Sequence, residues 1–286
     1  KKKTNGISIP ILKVNDARIA MSKIASRYNN NPSEKINVIG VTGTNGKTTI
    51  VKMIEYILND NNILSGSLGT LGFSSPSGIV STGFTTPESV ELHQMMKVLL
   101  DSKIYNCVME VSSHSLEMHR VDDVKYNMAV FTNLSQDHLD FHKDMKKYFR
   151  AKEKLFKMLD NDSLAIINID DNVSKALIKT CNCEVNTYGY SSQADVRIIK
   201  DEYSFESTNA EISVFGKKYT LKTNLFGKYN LYNVVASIAC LYKLIKVEDI
   251  IKSLTSFKEV PGRANKFFYK NKKIIVDYAH SPDAFE

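Results

Sequence analysis

No apolar run in this 286-residue chain approaches the roughly 18 residues of a membrane-crossing helix, so no such helix is expected in it. The first residues, Lys1 to Gly6, hold no apolar segment that would make a secretory signal, and a cytoplasmic protein is expected. Only four cysteines are present, Cys107, Cys181, Cys183 and Cys240. Their scatter fits neither a disulfide framework nor a zinc pattern, so reduced structural thiols are expected. Also missing is any segment in which aromatic and basic residues alternate. The formal charge of +7 is spread over dispersed lysines, which argues against nucleic acid and favours small polyanionic substrates.

What is present is ordinary globular material, 43% hydrophobic and long enough for one large domain or two ordinary ones. Its organising stretch is an apolar run, Ile36, Val38, Ile39 and Val41, followed at once by Thr42-Gly43-Thr44-Asn45-Gly46-Lys47-Thr48-Thr49. Apolar residues at 50, 53, 54, 57 and 58 then keep the spacing of one helical face. A strand that delivers a glycine-rich loop into a helix N-terminus is a phosphate cradle. Gly43 and Gly46 allow close backbone approach, Lys47 adds a full charge, and Thr48 can ligate Mg²⁺. The loop is the shorter GxxGKT, since a strict Walker A would need glycine where Val41 stands. ATP or GTP binding is expected.

Further along, Thr85-Thr86-Pro87-Glu88 precedes a helical stripe of Leu92, Met95, Met96 and Leu99, so Thr86 is expected to cap that helix. Apolar segments at 107–111, 128–132 and 164–168 alternate with helical patterns. This predicts an α/β fold with a mostly parallel sheet flanked by helices. From 195 to 223 the period becomes two, which predicts a small antiparallel sheet attached to the main one. Helices over the stretches after Gly227 and near 248–256, a turn at Pro261-Gly262-Arg263, a hairpin around Asn271 and a strand at 274–278 follow. Before the loop, 7–14 reads as extended, and 16–28 as a helix with Ala17, Ala20, Met21, Ile24 and Tyr28 on one face.

In a parallel sheet, ligands gather beyond the carboxyl ends of the strands. Glu110 ends one apolar strand and would give an oxygen ligand to a nucleotide-bound Mg²⁺; Asp137 and His138 follow another. Lys152 falls in the middle of the apolar stripe Met145, Tyr148, Phe149, Leu155, Phe156 and Leu159. A lysine there either snorkels or loses its charge, for instance by carbamylation, and burial physics alone favours snorkelling.

The series Thr42–Thr49, Thr85-Thr86-Pro87, Glu110–His114 with His119-Arg120, Thr132–His138, Ala151-Lys152, Gly227–Asn233, Pro261-Gly262-Arg263 and Asp277–His280 resembles the Mur ligases in order and spacing. The branch it is most similar to joins an amino acid to UDP-N-acetylmuramoyl-dipeptide. The resemblance implies a P-loop fold and an ATP-dependent amide ligase of peptidoglycan synthesis. Such an enzyme phosphorylates a D-glutamate carboxylate, and the amine of meso-diaminopimelate or L-lysine then attacks. It implies ATP and Mg²⁺ as cofactors and a monomer bound to neither nucleic acid nor membrane.

Carried over by position, Gly43, Thr44, Asn45, Gly46, Lys47, Thr48, Thr49, Asn133, Asn230, Arg263 and Asp277 fall to ATP. Thr85, Thr86, Ser112 and Arg120 fall to the UDP-sugar-peptide, and His280 to a domain junction. Lys47, Glu110, His138 and Lys152 become the catalytic set. Thr48, Glu110, His138 and a carbamylated Lys152 would hold metal, which reverses the preference for snorkelling. The expected organisation is 1–34 as the remnant of a UDP-binding domain and linker, 35–280 as the central ATP-binding domain, and 281–286 as the start of a further domain. Folylpolyglutamate synthetase, similar in fold and loop, is the rival enzyme. A non-catalytic nucleotide-binding module is the alternative of another class.

Overall fold

A computed structural model describes residues 11–75, 77–270 and 272–280. Residues 7–10 of the expected extended piece, Asn271 of the hairpin turn, and 281–286 lie outside the described residues.

The chain opens with α1 (Ala17–Tyr28), β1 (Asn37–Thr42) and α2 (Lys47–Asp60), then a small meander of β2 (Gly66–Gly69), β3 (Gly72–Ser75) and β4 (Gly78–Val80). Next come α3 (Ser89–Asp101), β5 (Asn106–Glu110), α4 (Ser113–Glu117), β6 (Met128–Phe131), α5 (Leu139–His142) and α6 (Met145–Lys157). They lead to β7 (Leu164–Asn168), α7 (Ser174–Thr180), β8 (Glu184–Gly189), β9 (Val196–Tyr203), β10 (Thr208–Val214) and β11 (Lys217–Thr223). The chain finishes with α8 (Lys228–Leu241), α9 (Val247–Ser256), β12 (Asn265–Tyr269) and β13 (Lys272–Val276).

The first eleven strands form one sheet in the order β11-β10-β9-β8-β7-β6-β1-β5-β2-β3-β4. Its centre, from β2 through β9, is parallel. Both edges are antiparallel, so the expected period-two segment is the rim of the main sheet, continuous with it through β8 and β9. A separate two-stranded sheet pairs β12 with β13.

Alternation along β1 explains how both faces are covered. Val38 points into a core with Leu92, Met96, Leu155, Phe156 and Leu177 from α3, α6 and α7. Ile39 and Val41 point the other way, into a core with Ile50, Ile54, Val234, Ile238 and Ile250 from α2, α8 and α9. The apolar positions read for α2, at 50, 53, 54, 57 and 58, are all buried.

Two expectations are corrected. Helix α3 begins at Ser89 with Glu88 as its N-cap, so Thr86 is not the cap. Its hydroxyl is drawn instead to the end of β5, donating to the Glu110 carbonyl (2.8 Å) and accepting from the Ser112 N–H (3.1 Å). Helix α1 buries Ser22, Ala25 and Ser26 rather than its larger apolar residues, and Ile24 and Tyr28 stay exposed. The helix packs beside α3, and Ser22 Oγ accepts from the Asp123 N–H (3.2 Å).

Candidate active site

β1 and β6 are neighbours in the centre of the sheet, so their loops leave side by side and bond to each other. Thr44 N–H donates to the Asn133 carbonyl and Asn45 N–H to Asn133 Oδ1, both at 2.9 Å. Thr132 Oγ1 donates back to the Asn45 carbonyl at 2.6 Å. Gly43 and Gly46 both have positive φ, and a Cβ on either would strike Thr132 Oγ1 or Asn233 Oδ1. Only glycine allows the loop to hold this shape beside its neighbours.

Lys47 folds back over the loop, its Nζ 3.0 Å from the Gly43 carbonyl and 2.8 Å from that of Thr44. Burial depresses its pKa, while the Glu110 carboxylate pulls the other way. Thr48 is buried at the first turn of α2, and its Oγ1 accepts from Arg263 Nη2 (3.2 Å). Thr49 is buried next to it.

Lys152 does not snorkel. It is 2% exposed on the inner face of α6, with Nζ 2.7 Å from the same Gly43 carbonyl and 4.3 Å above the Tyr148 ring. Snorkelling fails because the lysine enters the side of the loop, where a polar acceptor waits, rather than the apolar core. Burial first and the Lys47 charge second hold its pKa well below that of free lysine, and no carboxylate among the described residues lies within ion-pair distance. Tyr148 ties this helix to the loop through a 3.2 Å hydroxyl contact with Thr44 Oγ1.

Glu110, 1% exposed, closes β5 and receives the Thr70 N–H at Oε1 (2.7 Å) and the Thr70 hydroxyl at Oε2 (3.3 Å). His138 sits at positive φ beside Asp137, with Nε2 3.3 Å from Oδ2. Its ring meets His114 edge-on at 4.8 Å, and His114 lies 5.5 Å from His142. Burial lowers the pKa of all three histidines, His142 to about 4. His142 Nε2 is 2.9 Å from Ser113 Oγ.

The crevice of about 270 Å³ above these residues is lined by Lys47, Thr85, Thr86, Ser112, Arg120, His138 and Lys152, among others. The four substrate-side residues therefore share one opening with Lys47, His138 and Lys152. Arg120 donates to the Thr86 carbonyl (3.1 Å), pairs with Glu88 (2.8 Å) and lies over Phe84, while Ser112 caps α4. A more apolar groove along α1, lined by Leu12, Met21, Ile24, Tyr28 and Val90, contains none of these groups.

The remaining nucleotide-side residues divide. Asn230 points inward, donating to the Phe226 carbonyl (2.8 Å), and Asn233 one turn later meets the loop at Gly46. Asn230, expected on the ATP side by resemblance, accepts from the Asn233 amide (3.2 Å); the spacing of three puts both on one helical face. Asp277 is exposed, and its two oxygens accept from the N–H groups of Ala264 (2.6 Å) and Ala279 (2.7 Å). His280 is exposed and its Nδ1 lies 2.8 Å from the Tyr278 carbonyl. Thr70 and Tyr148 were also missed as site residues: Thr70 sits in a glycine-rich run without pattern, and Tyr148 reads as an ordinary core aromatic.

The arrangement fits a magnesium nucleotide. Thr42 Oγ1, Ser135 Oγ and Arg120 Nε are buried without a protein partner among the described residues. Among the described residues no group of three or more His, Cys, Asp and Glu able to hold a metal forms. Mg²⁺ suits such a donor set, since it is commonly held by one or two protein oxygens and by substrate phosphates.

Comparison with known proteins agrees with this geometry. The model of the Mur ligase middle domain matches residues 41–241. The UDP-N-acetylmuramoyl-L-alanyl-D-glutamate–2,6-diaminopimelate ligase of Aquifex aeolicus is 39% identical over 279 residues, which are 97% of this chain and 57% of that protein. A solved structure of a ligase of that name superposes with a TM-score of 0.82 at 24% identity, covering 96% of this chain and 59% of the other. Folylpolyglutamate synthase of Mycobacterium tuberculosis, complexed with ADP and AMPPCP, shares the fold at a TM-score of 0.78 and 15% identity, over 93% of this chain and 68% of the other. The chain thus spans little more than half the length of the ligases it matches. Its loop, its sheet order and the match over 41–241 place it in the Mur ligase family, through the middle domain.

Proposed function

We propose that the protein to which this chain belongs is an ATP-dependent ligase that joins meso-diaminopimelate to UDP-N-acetylmuramoyl-L-alanyl-D-glutamate. The observation that carries the reading is the convergence of Lys47, His138 and Lys152 on one crevice with Thr85, Thr86, Ser112 and Arg120, and the Glu110 carboxylate near enough to Lys47 to act on its charge. Diaminopimelate is chosen over L-lysine because the Aquifex relative carries that substrate in its name.

In this reading the amides of the loop and of the first turn of α2 hold the triphosphate of ATP, with Thr44, Asn45, Gly46 and Thr49 around it. Lys47 leaves the Gly43 and Thr44 carbonyls to stabilise the charge that builds on the transferring phosphoryl group. Asn133 keeps the loop closed, Asn233 packs against Gly46, and Arg263 keeps Thr48 in register. Asp277 braces the base of the β12–β13 hairpin, and a ribose contact would use its remaining lone pairs.

Thr48 and Glu110 would hold one Mg²⁺, and His138 with Lys152 would face a second, which neutralises charge between phosphates and the reacting carboxylate. Lys152 suits carbamylation because a buried amine held neutral can add to CO₂, releasing one proton and becoming an anion. Arg120 and the Thr85 hydroxyl would hold the anionic muramoyl peptide, with Thr86 and Ser112 shaping the crevice beside them, so that its D-glutamate carboxylate meets the γ-phosphoryl group. The acyl phosphate then loses phosphate as the diaminopimelate amine attacks, and the amide forms.

The test is phosphate release by the full-length protein. Release that needs ATP, the UDP-muramoyl-dipeptide and meso-diaminopimelate together is expected. Release with L-lysine instead reassigns the acceptor, and glutamate added to a folate reassigns the family branch. No release under any combination leaves a nucleotide-binding module.

A further inference from the structure

Among the described residues, Thr70 alone hydrogen-bonds the Glu110 carboxylate. β2 and β5 are parallel neighbours with Leu68 opposite Met109, so the chain leaving β2 turns beside the end of β5. There the Thr70 N–H donates to Oε1 of Glu110 at 2.7 Å, and its hydroxyl donates to Oε2 at 3.3 Å. Both carboxylate oxygens are thus oriented by the same residue.

Gly69 fits the same purpose, because a Cβ there would overlap the Glu110 carboxylate. Thr70 is itself exposed, so packing does not account for it. Its hydroxyl also lies 3.1 Å from Thr85 Oγ1, on the substrate wall of the crevice. A hydroxyl has one proton to give. With that proton on Glu110, Thr70 accepts from Thr85, and the two threonines form a directed chain ending at the carboxylate.

We propose that Thr70 is a positioning residue: it fixes the Glu110 carboxylate for metal and, through Thr85, links the metal side of the crevice to the side that takes the muramoyl peptide. This rests on the proposed function in treating Glu110 as a metal ligand. Partners that orient a ligating carboxylate typically change metal affinity by about 10–100-fold when removed. A ligand that takes the Thr85 proton withdraws a donor from Thr70 and alters how firmly Glu110 is held, so metal affinity should respond to substrate.

The experiment measures Mn²⁺ binding by electron paramagnetic resonance, using the full-length protein with a non-hydrolysable ATP analogue, with and without UDP-muramoyl-dipeptide. Wild type, Thr70→Val, Thr70→Ser and Glu110→Gln are compared. Thr70→Val is expected to weaken Mn²⁺ about tenfold and to lose the shift that substrate produces, while Thr70→Ser stays within about threefold of wild type. Analogue binding in EDTA should be equal in wild type and both Thr70 variants. Unchanged Mn²⁺ affinity in Thr70→Val, equal losses in Val and Ser, or a substrate shift that survives in Thr70→Val overturns the proposal. If Glu110→Gln also binds Mn²⁺ like wild type, the assignment of Glu110 as ligand falls with it; if only Glu110→Gln is impaired, the assignment stands and the role of Thr70 alone is refuted.

Discussion

Replacing His93 with leucine should stabilise the fold, and by more in acid than at neutral pH. His93 lies on α3 with no exposed surface, and neither ring nitrogen finds a partner among the described residues. Burial lowers its pKa from 6.5 to about 4, against a small opposing pull from Asp123. The folded state therefore keeps the ring neutral where the unfolded chain takes up a proton. Its share of stability is complete above 6.5 and is lost as pH falls through the window from 6.5 to about 4. Integrated from pH 7 to pH 5, the loss is about 2 kcal/mol.

Leucine has similar bulk and does not titrate. It also removes a buried N–H without an acceptor, which costs about 1–3 kcal/mol. His93→Leu should thus gain about 1 kcal/mol at pH 7 and about 3 kcal/mol at pH 5. Urea unfolding at the two pH values, followed by circular dichroism, measures both. His142, also at about 4, titrates in both proteins and cancels in the difference. Equal gains at the two pH values would show that His93 is not held neutral by the fold, and a loss at pH 5 would reverse the reasoning.

Gly46→Ala places a Cβ at φ 88 and 2.5 Å from Asn233 Oδ1, so ATP affinity should fall at least about tenfold with circular dichroism unchanged. Fluorescent-nucleotide titration checks this, and wild-type affinity would mean that the loop is not the cradle. Lys152→Ala should reduce turnover of the full-length enzyme by about 100-fold or more, with partial recovery on adding short carboxylic acids that replace a carbamate. Full activity of the alanine variant would remove Lys152 from the mechanism.

The loop at 42–49 was legible because its physics is local: glycine positions, a lysine and a helix start lie within a few residues of one another. Lys152 was legible as a conflict between an apolar period and a charge, but the direction of its side chain was not, because the acceptor at Gly43 is 109 positions away in sequence. The same distance effect displaced Thr86, whose capping pattern lost to the Glu110 carbonyl. Helix α1 misled for another reason: its apolar stripe has the right period, yet the residues it buries are the small ones Ser22, Ala25 and Ser26. The parallel centre of the sheet followed from apolar strands alternating with helices. The attachment of β9–β11 to that sheet followed from the change to period two, but the parallel pairing of β9 with β8 that makes the join did not, since nothing in β8 announces which neighbour it will take.

The account depends on nucleotide at the loop sharing its metal with Glu110, and the most direct measurement is ATP binding by calorimetry with Mg²⁺ and with EDTA, in wild type and Glu110→Gln. Wild type should bind at least about tenfold more tightly with Mg²⁺, and Glu110→Gln should lose most of that difference while keeping its affinity in EDTA. A Glu110→Gln variant that keeps the full enhancement by Mg²⁺ would contradict the shared site.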